Sequence, residues 1–432
     1  MSETLDRMRS DWDHRAREDA RYYVAFGRRE QEEAEFQRTA ADVVRNLDCE
    51  LRRLPRGTDK ASLRALEIGC GVGRVMLPMS TRFGEIHGVD ISEEMIRQAR
   101  QQLAATANAY VQATSGADLA ALADVSFDFV YSYAVFQHIP SREVVFSYLR
   151  ETRRVLKPGG LVRFQLNGLA ESAAGYDTWH GVRIGAAEVR DFARSGDFQL
   201  LALEGAGTQY MWVTLCKRPT GWRDDLARRP VARAAIRRIS NGFSTEPLVP
   251  CRGRFASISL WMEALPQECD LLHLEATIGG LPATPFYVGP VERDGLSQLN
   301  IALPAGIATG LQPIHLTWFG EPLCAPAILR VVPPGPTVPR VVALSDAVDL
   351  LSGTAIRSGI IKLVVEDVER ISDFRASMDG QDLSSIETFC VDPTPMRYEV
   401  NIHLPPALPK GDHSLEIQLG HRKLGSFGVR IL

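Results

Sequence analysis

Leu66-Glu67-Ile68-Gly69-Cys70-Gly71-Val72-Gly73-Arg74 decides the fold of the first half of this chain. Apolar residues lead into an acidic residue, then into glycines at every second position. A buried strand ending in such a loop can bring backbone N–H groups close to a ligand, because glycine has no Cβ in the way. The spacing separates two kinds of loop. A dinucleotide-binding loop reads G-x-G-x-x-G, and its third glycine would fall where this chain has Arg74. Here the third glycine is Gly73, and the pattern is G-x-G-x-G.

Around this loop, over residues 63–218, short apolar runs alternate with helical stretches, the signature of a mostly parallel sheet wrapped by helices. The expected strands are Arg64–Ile68, Glu85–Asp90, Ala109–Ala113, Phe127–Ser132, Leu161–Leu166, Leu200–Glu204 and Trp212–Cys216, the last one antiparallel. Helices are expected over Val72–Phe83, over Ser92–Leu103 with Ser92 as cap of a capping box, and over Arg142–Leu156. Asp90 ends the second strand 21 residues after Gly69. A carboxylate there can accept two hydrogen bonds from a ribose diol; the alternative is a helix cap or a surface aspartate.

Further segments follow in order: Gly116-Ala117-Asp118-Leu119, Phe127-Asp128-Phe129-Val130-Tyr131-Ser132, and Leu156-Lys157-Pro158-Gly159-Gly160. With Glu67, the glycine loop and Asp90, they resemble the motifs of class I S-adenosylmethionine-dependent methyltransferases, over about residues 60–165. The resemblance implies an α/β fold, a doubly wound, mostly parallel seven-stranded sheet of Rossmann-like type. It implies S-adenosyl-L-methionine as cofactor and S-adenosyl-L-homocysteine as product. The implied cofactor-binding residues are Glu67, Gly69, Cys70, Gly71, Gly73, Arg74, Asp90, Ile91, Gly116, Asp118, Leu119, Ser132 and Tyr133. Ile91 would pack the adenine ring, and Asp118 would accept from its exocyclic amine or else serve as a turn residue. Glu67 would sit near the cationic end of the cofactor or act as a structural loop carboxylate.

A sulfonium methyl is already an activated electrophile, so the protein mainly aligns a nucleophile and accepts a proton. Gln137-His138-Ile139-Pro140 leaves the fourth strand at the edge where open α/β sheets bind ligands. His138 is the candidate general base, with a structural or cofactor-shelf role as the alternative. Residues 167–185 carry Tyr176, Trp179, His180 and Arg183, a set suited to a polar ring-shaped or anionic acceptor. Residues 1–55 read as a helical lid in which Tyr22 and Tyr23 either shield the sulfonium or simply pack on the sheet.

Residues 217–238 carry eight basic residues (Lys217, Arg218, Arg223, Arg228, Arg229, Arg233, Arg237, Arg238), and 219–250 is expected to be a solvated basic linker, the alternative being a basic helix for nucleic acid or an acidic membrane. Beyond residue 251 the texture changes to short alternating segments separated by Pro and Gly, as in β-sandwiches. Leu299-Asn300-Ile301-Ala302-Leu303-Pro304 matches Val400-Asn401-Ile402-His403-Leu404-Pro405, and Ala276–Gly280 aligns with Ala376–Gly380. Two sandwiches are expected, at 251–333 and 340–432, joined by the proline-rich Val332–Pro339. Gly279-Gly280-Leu281-Pro282-Ala283 and Tyr287-Val288-Gly289-Pro290 resemble bacterial immunoglobulin-like domains of the TIG type.

At 432 residues the chain is long enough for two to four domains. Its apolar content of 45% and charged content of 24% are those of a globular protein, and a net charge of -4 argues against nucleic acid as partner. No apolar h-region occurs in Met1–Arg21, and no run approaches the ~20 apolar residues of a membrane span. Seven scattered cysteines without C-x-x-C suit reduced thiols in a cytoplasm rather than a disulfide framework or a zinc site. The expected function is methyl transfer to an oxygen or nitrogen of an acceptor, a small molecule or a glycan. A protein or glycan partner is expected at the sandwich domains. The rivals are a cofactor-binding scaffold without catalysis and a nucleotide-dependent oxidoreductase, against which Arg74 speaks.

Overall fold

Strand β1 (Arg64–Ile68) is buried along nearly its whole length, as a central strand covered on both faces must be. In the computed structural model it pairs in parallel with β2 (Glu85–Asp90) on one side and β4 (Phe127–Ser132) on the other. The described residues are 2–25, 29–55, 57–171, 175–227, 234–392 and 395–432. Adding β3 (Ala109–Ala113), β5 (Leu156–Leu166), β6 (Phe198–Glu204) and β7 (Met211–Lys217) gives the order β3-β2-β1-β4-β5-β7-β6. Strand β7 runs antiparallel to both of its neighbours, as the sequence predicts. The chain divides into two compact units, Met1–Arg17 with Gln37–Pro334, and Glu18–Phe36 with Gly335–Leu432.

Helix α1 (Ser2–Ala25) is broken at Asp19, whose carboxylate accepts from the Tyr22 N–H and so caps the following turn. Its first part, through Arg17, belongs to the first unit and its remainder to the second, so residues 1–55 are not one lid. After α2 (Glu33–Arg38), α3 (Ala41–Leu51) covers one face of the sheet, where Asn46 accepts from Arg163 of β5. The helix expected over Val72–Phe83 is only α4 (Met76–Met79) with a 3-10 turn behind it. Pro78 explains this: it fits the first turn, but a helix begun at Val72 would place it inside, without its N–H. Helix α5 (Glu93–Gln102) is capped by Ser92, which accepts from the Met95 N–H. Helix α6 (Arg142–Val155) runs directly into β5.

The basic linker expected over 219–250 is corrected by the structure. Helix α7 (Ala186–Ser195) lies against β6, and α8 (Trp222–Ala227) docks on its end through Arg223, which donates to the Arg194 and Ala193 carbonyls. Arg228, Arg229 and Arg233 lie outside the described residues. Arg237 and Arg238 stand on β8 (Ala235–Asn241), paired antiparallel with β10 (Ser257–Glu263); Arg237 meets Glu263 and Arg238 covers Trp261. The first sandwich therefore begins at Ala235. Strands β9 (Leu248–Pro250), β11 (Leu274–Ile278), β12 (Leu281–Val291), β13 (Leu296–Ala302), β14 (Gly310–Trp318), β15 (Glu321–Pro322) and β16 (Ala327–Val332) complete it. Its sheets run β8-β10-β13-β12 and β9-β16-β14-β11-β12, because β12 serves both.

This sandwich is fused to the α/β sheet rather than spaced from it. Tyr287 of β12 pairs with Ala202 of β6, and one hydrophobic core contains side chains of both. The Leu271 N–H donates to the Leu200 carbonyl, and Gln199 donates to the Gln267 and Cys269 carbonyls. Arg53, buried beside Glu50 at 2.5 Å, donates to the Val288 carbonyl at 2.6 Å.

In the second unit the repeat is realised strand by strand. Strands β17 (Arg340–Asp346), β18 (Ala355–Ile356), β19 (Ile360–Glu366), β20 (Phe374–Met378), β21 (Gln381–Leu383), β22 (Ile386–Asp392), β23 (Arg397–His403), β24 (Gly411–Leu419) and β25 (Arg422–Ile431) form two sheets, β17-β19-β23-β22 and β18-β25-β24-β20-β21. That is the order of the first sandwich. Leu299 and Ile301 are buried in one copy, Val400 and Ile402 in the other. The turns Gly279-Gly280 and Asp379-Gly380 both take left-handed backbone, which is why glycine or aspartate stands there.

Candidate active site

The glycine loop follows β1 with all three glycines in the left-handed region, at φ 73° for Gly69, 52° for Gly71 and 83° for Gly73. A Cβ on Gly69 would lie 2.3 Å from Cγ2 of Val135, so the turn after β4 presses directly on the loop. The backbone does not offer its N–H groups to a ligand as the sequence suggests. Gly69 and Cys70 both donate to the Val89 carbonyl, Gly71 donates to Asp90 Oδ2 at 2.9 Å, and Gly73 donates to the Cys70 carbonyl. Four N–H groups are thus engaged internally, which removes an anion cradle of the phosphate-binding kind. The Cys70 side chain is buried toward Gly88, so it is a small packing residue.

Asp90 is held from two sides. Oδ2 accepts from Gly71, and Oδ1 accepts from the Ser92 N–H at 2.9 Å. Burial raises its pKa, against those backbone hydrogen bonds. The Ile91 backbone adds a third hydrogen bond, and the carboxylate keeps acceptor capacity for a hydroxyl. Next to it, Ile91 packs against Gly116, where a Cβ would lie 2.2 Å from Ile91 Cδ1. Leu119 is buried, its N–H donating to Glu151, while Asp118 Oδ1 caps its own turn through the Ala120 N–H.

Glu67 is buried at the end of β1 and accepts from the Tyr131 hydroxyl at 2.9 Å. Burial pushes its carboxyl up to about 8, although the Tyr131 hydrogen bond and Arg74 pull it down. Arg74 is itself buried, donates to Thr39 Oγ1 at 3.1 Å, and lies over the Tyr133 ring. Ser132 donates to the Ile68 carbonyl and ties β4 to β1. Ala134 has a φ of 55°, a strained left-handed position for a residue with a Cβ, and turns the chain back toward the loop.

The sequence reading missed Gln165. Strand registers place it beside Trp212, and Trp212 stacks on Tyr133 at 5.7 Å. Gln165 is 3% exposed, and among the described residues its Oε1 accepts no hydrogen bond. The β1–β4–β5 register puts it on the face of Glu67: Glu67 pairs with Tyr131, and Tyr131 with Arg163, two residues before Gln165.

His138 closes a 3-10 turn and lies edge-on to Trp12 at 5.5 Å and against Trp179 at 5.4 Å. Its Nδ1 lies 2.8 Å from the Trp179 carbonyl oxygen, which assigns the proton to Nδ1 and leaves Nε2 as acceptor, 3.4 Å from Gln137 Nε2. Burial pushes its pKa down to about 4. Residues 181–184 run along this turn: Gly181 donates to the Gln137 carbonyl, and Val182 donates to the Ile139 carbonyl. Of the other residues expected in this wall, Tyr176 packs on the core, the His180 side chain is 76% exposed, and Arg183 donates to the Ala170 carbonyl. Tyr22 and Tyr23 fall in the second unit, packed edge to face with Arg29 over both rings.

The first part of α1 borders these loops. Asp13 accepts from Ser92 Oγ at 2.6 Å and from the Glu94 N–H, Gln98 donates to the Ala16 carbonyl, and Arg9 donates to the Ser115 carbonyl. No residue of α5 closes the Ser92 capping box: the Ser92 N–H donates to Asp90, and Asp13 takes the Ser92 hydroxyl and the Glu94 N–H instead.

Residues 66–164 match the family model described as a methyltransferase domain. Among curated relatives, a phosphoethanolamine N-methyltransferase 2 of Caenorhabditis elegans is 28% identical, over 38% of this chain and 38% of its own. A malonyl-[acyl-carrier protein] O-methyltransferase of Enterobacter lignolyticus is 34% identical, over 33% of this chain and 51% of its own. This chain thus spans between 38% and 51% of the length of these relatives. A solved magnesium protoporphyrin IX methyltransferase of Synechocystis PCC 6803, with bound SAH, has a TM-score of 0.36 and 16% identity, covering 48% of this chain and 97% of that one. The methyltransferase-domain match thus falls on residues 66–164, inside a Rossmann-like sheet. No helix among the described residues is long and apolar enough to cross a membrane.

Proposed function

We propose that the protein is an S-adenosyl-L-methionine-dependent methyltransferase that methylates an oxygen or nitrogen of a small-molecule or glycan acceptor and releases S-adenosyl-L-homocysteine. The observation that carries this is the loop whose N–H groups are engaged by Val89 and Asp90 while two carboxyl groups, Glu67 and Asp90, remain at its edge. That donor set suits a cationic nucleoside with a free ribose diol and disfavours a pyrophosphate. Bound there, the cofactor supplies a methyl group already activated for transfer. Asp90 would hold the ribose hydroxyls, Ile91 and Gly116 would flank the adenine, and Glu67 would face the ammonium. His138 is neutral above a pH of about 4, so it orients an acceptor hydroxyl or amine as a hydrogen-bond acceptor and is a weak store for a proton.

The two sandwiches read as immunoglobulin-like modules of the TIG type that meet a protein or glycan partner. The cysteine pattern supports a cytoplasmic setting. Calorimetry with S-adenosylhomocysteine and with NAD tests the donor: heat with the first and none with the second is expected, and the reverse overturns the reading. A labelled-donor screen over metabolites, glycans and protein extract then identifies the acceptor. His138→Asn should lower turnover by about 10²-fold while leaving S-adenosylhomocysteine affinity unchanged; unchanged turnover removes His138 from the chemistry.

A further inference from the structure

Two sets of contacts fasten the first part of α1, and they point to opposite sides of the site. Asp13 engages Ser92 and the Glu94 N–H beside Asp90, on the donor side. Arg15 engages the 177–183 segment: Nη1 donates to the Thr178 carbonyl at 3.1 Å and Nη2 donates to Thr178 Oγ1 at 3.1 Å. Thr178 Oγ1 in turn donates to Asp11 Oδ2 at 2.6 Å. The guanidinium also lies 4.7 Å from the Trp12 ring centre and 5.3 Å from that of Trp179. Two residues along a helix are about 200° apart, so Asp13 and Arg15 face away from each other. A rigid helical turn cannot seat one without presenting the other. Beyond Thr178 the path continues covalently to Trp179, whose carbonyl accepts the His138 Nδ1 proton.

Resting on the methyltransferase reading above, we propose that Arg15, with Asp11 and Thr178, is a positioning clasp: seating of the α1 turn on the donor side also fixes the acceptor-side wall and the tautomer of His138. Arg15 touches neither donor nor acceptor. It acts through Thr178 and Trp179, and the planar two-pronged guanidinium is what the paired Thr178 oxygens require. The donor site would then be read out at the acceptor wall before any acceptor arrives.

Hydrogen–deuterium exchange of the full chain, with and without S-adenosylhomocysteine, tests this. In the wild type the probe should slow exchange about tenfold in 67–75, 88–95 and 177–183. In Arg15→Ala it should still slow the first two segments and lose its effect on 177–183. Thr178→Val, a smaller change, removes the hydroxyl without removing the charge and should show a partial loss; Arg15→Lys should not restore the coupling. A purely structural Arg15 would change exchange equally with and without the probe. The clasp is overturned if 177–183 is protected as strongly in both Arg15→Ala and Thr178→Val as in the wild type, or if it is unprotected in the wild type while 67–75 responds. Absence of any response at 67–75 in the wild type overturns the donor reading itself, and the clasp with it.

Discussion

Glu67 is buried with the Tyr131 hydroxyl as its hydrogen-bond partner, and burial keeps its carboxyl protonated up to a pH of about 8. Two consequences follow at the level of this one residue. In the ligand-free fold the ordinary value of 4.5 applies to the unfolded chain and about 8 to the folded one. The folded state therefore holds the extra proton between those values, and this group's contribution to stability is lost as pH rises through that window. On the proposed placement, the ammonium of a bound cofactor beside the carboxylate favours its charged form and reverses the preference. Association should then release close to one proton at pH 6.5, and affinity should rise up to about tenfold per pH unit until about pH 8, then level off. Calorimetry of S-adenosylhomocysteine binding in two buffers of different ionisation heat measures that count. Glu67→Gln should abolish the proton release and flatten the profile; a release that persists in the variant would place the titrating group elsewhere.

At the level of elements, much of the first half was legible because strand and loop chemistry is local. The five parallel strands, the glycine loop, Asp90 and the Ser92 cap all follow from short-range pattern. What was not legible depends on partners far away in sequence. The engagement of the loop N–H groups needs the Val89 carbonyl across the sheet, and the placement of Gln165 on the face of Glu67 needs the β1–β4–β5 register. Strand β8 was read as linker because Arg237 and Arg238 dominate its composition, whereas Glu263 and Trp261 on the facing strand accommodate them. Arg53 is the sharpest case: nothing local tells that it is buried against Val288 more than two hundred residues later. Its loss would leave Glu50 buried beside Arg163 alone and the Val288 carbonyl without its donor. Arg53→Met should lower stability by about 3 kcal/mol, near the lower end for breaking a buried pair, read as a shift of the denaturant midpoint. The double change Glu50→Leu with Arg53→Met should recover part of it; no difference between single and double variants would show that the pair is not coupled.

The whole molecule divides differently from the domain order along the chain. The first sandwich shares a core and a strand pairing with the α/β sheet, and its Val288 carbonyl accepts from the buried Arg53, so it belongs to the α/β unit. The second sandwich has its own core and takes residues 18–36 with it. Units with separate cores unfold as separate cooperative blocks, whereas elements sharing one core unfold together. Scanning calorimetry of the full chain should therefore show two transitions rather than three. S-adenosylhomocysteine at about a hundredfold excess over its dissociation constant stabilises the unit it binds by about 2.7 kcal/mol. For a unit of this size that raises one midpoint by roughly 5 °C and leaves the other in place. Ending the chain after Pro334 should remove the unresponsive transition and keep the responsive one. Ending it after Ala227 strips β6 of its Tyr287 pairing and uncovers the core that Leu200 and Leu203 share with the sandwich, so the responsive transition should be lost as well. A chain ending at Ala227 that still melts cooperatively and still responds to the probe would show that the first sandwich is an attachment, not part of the α/β fold.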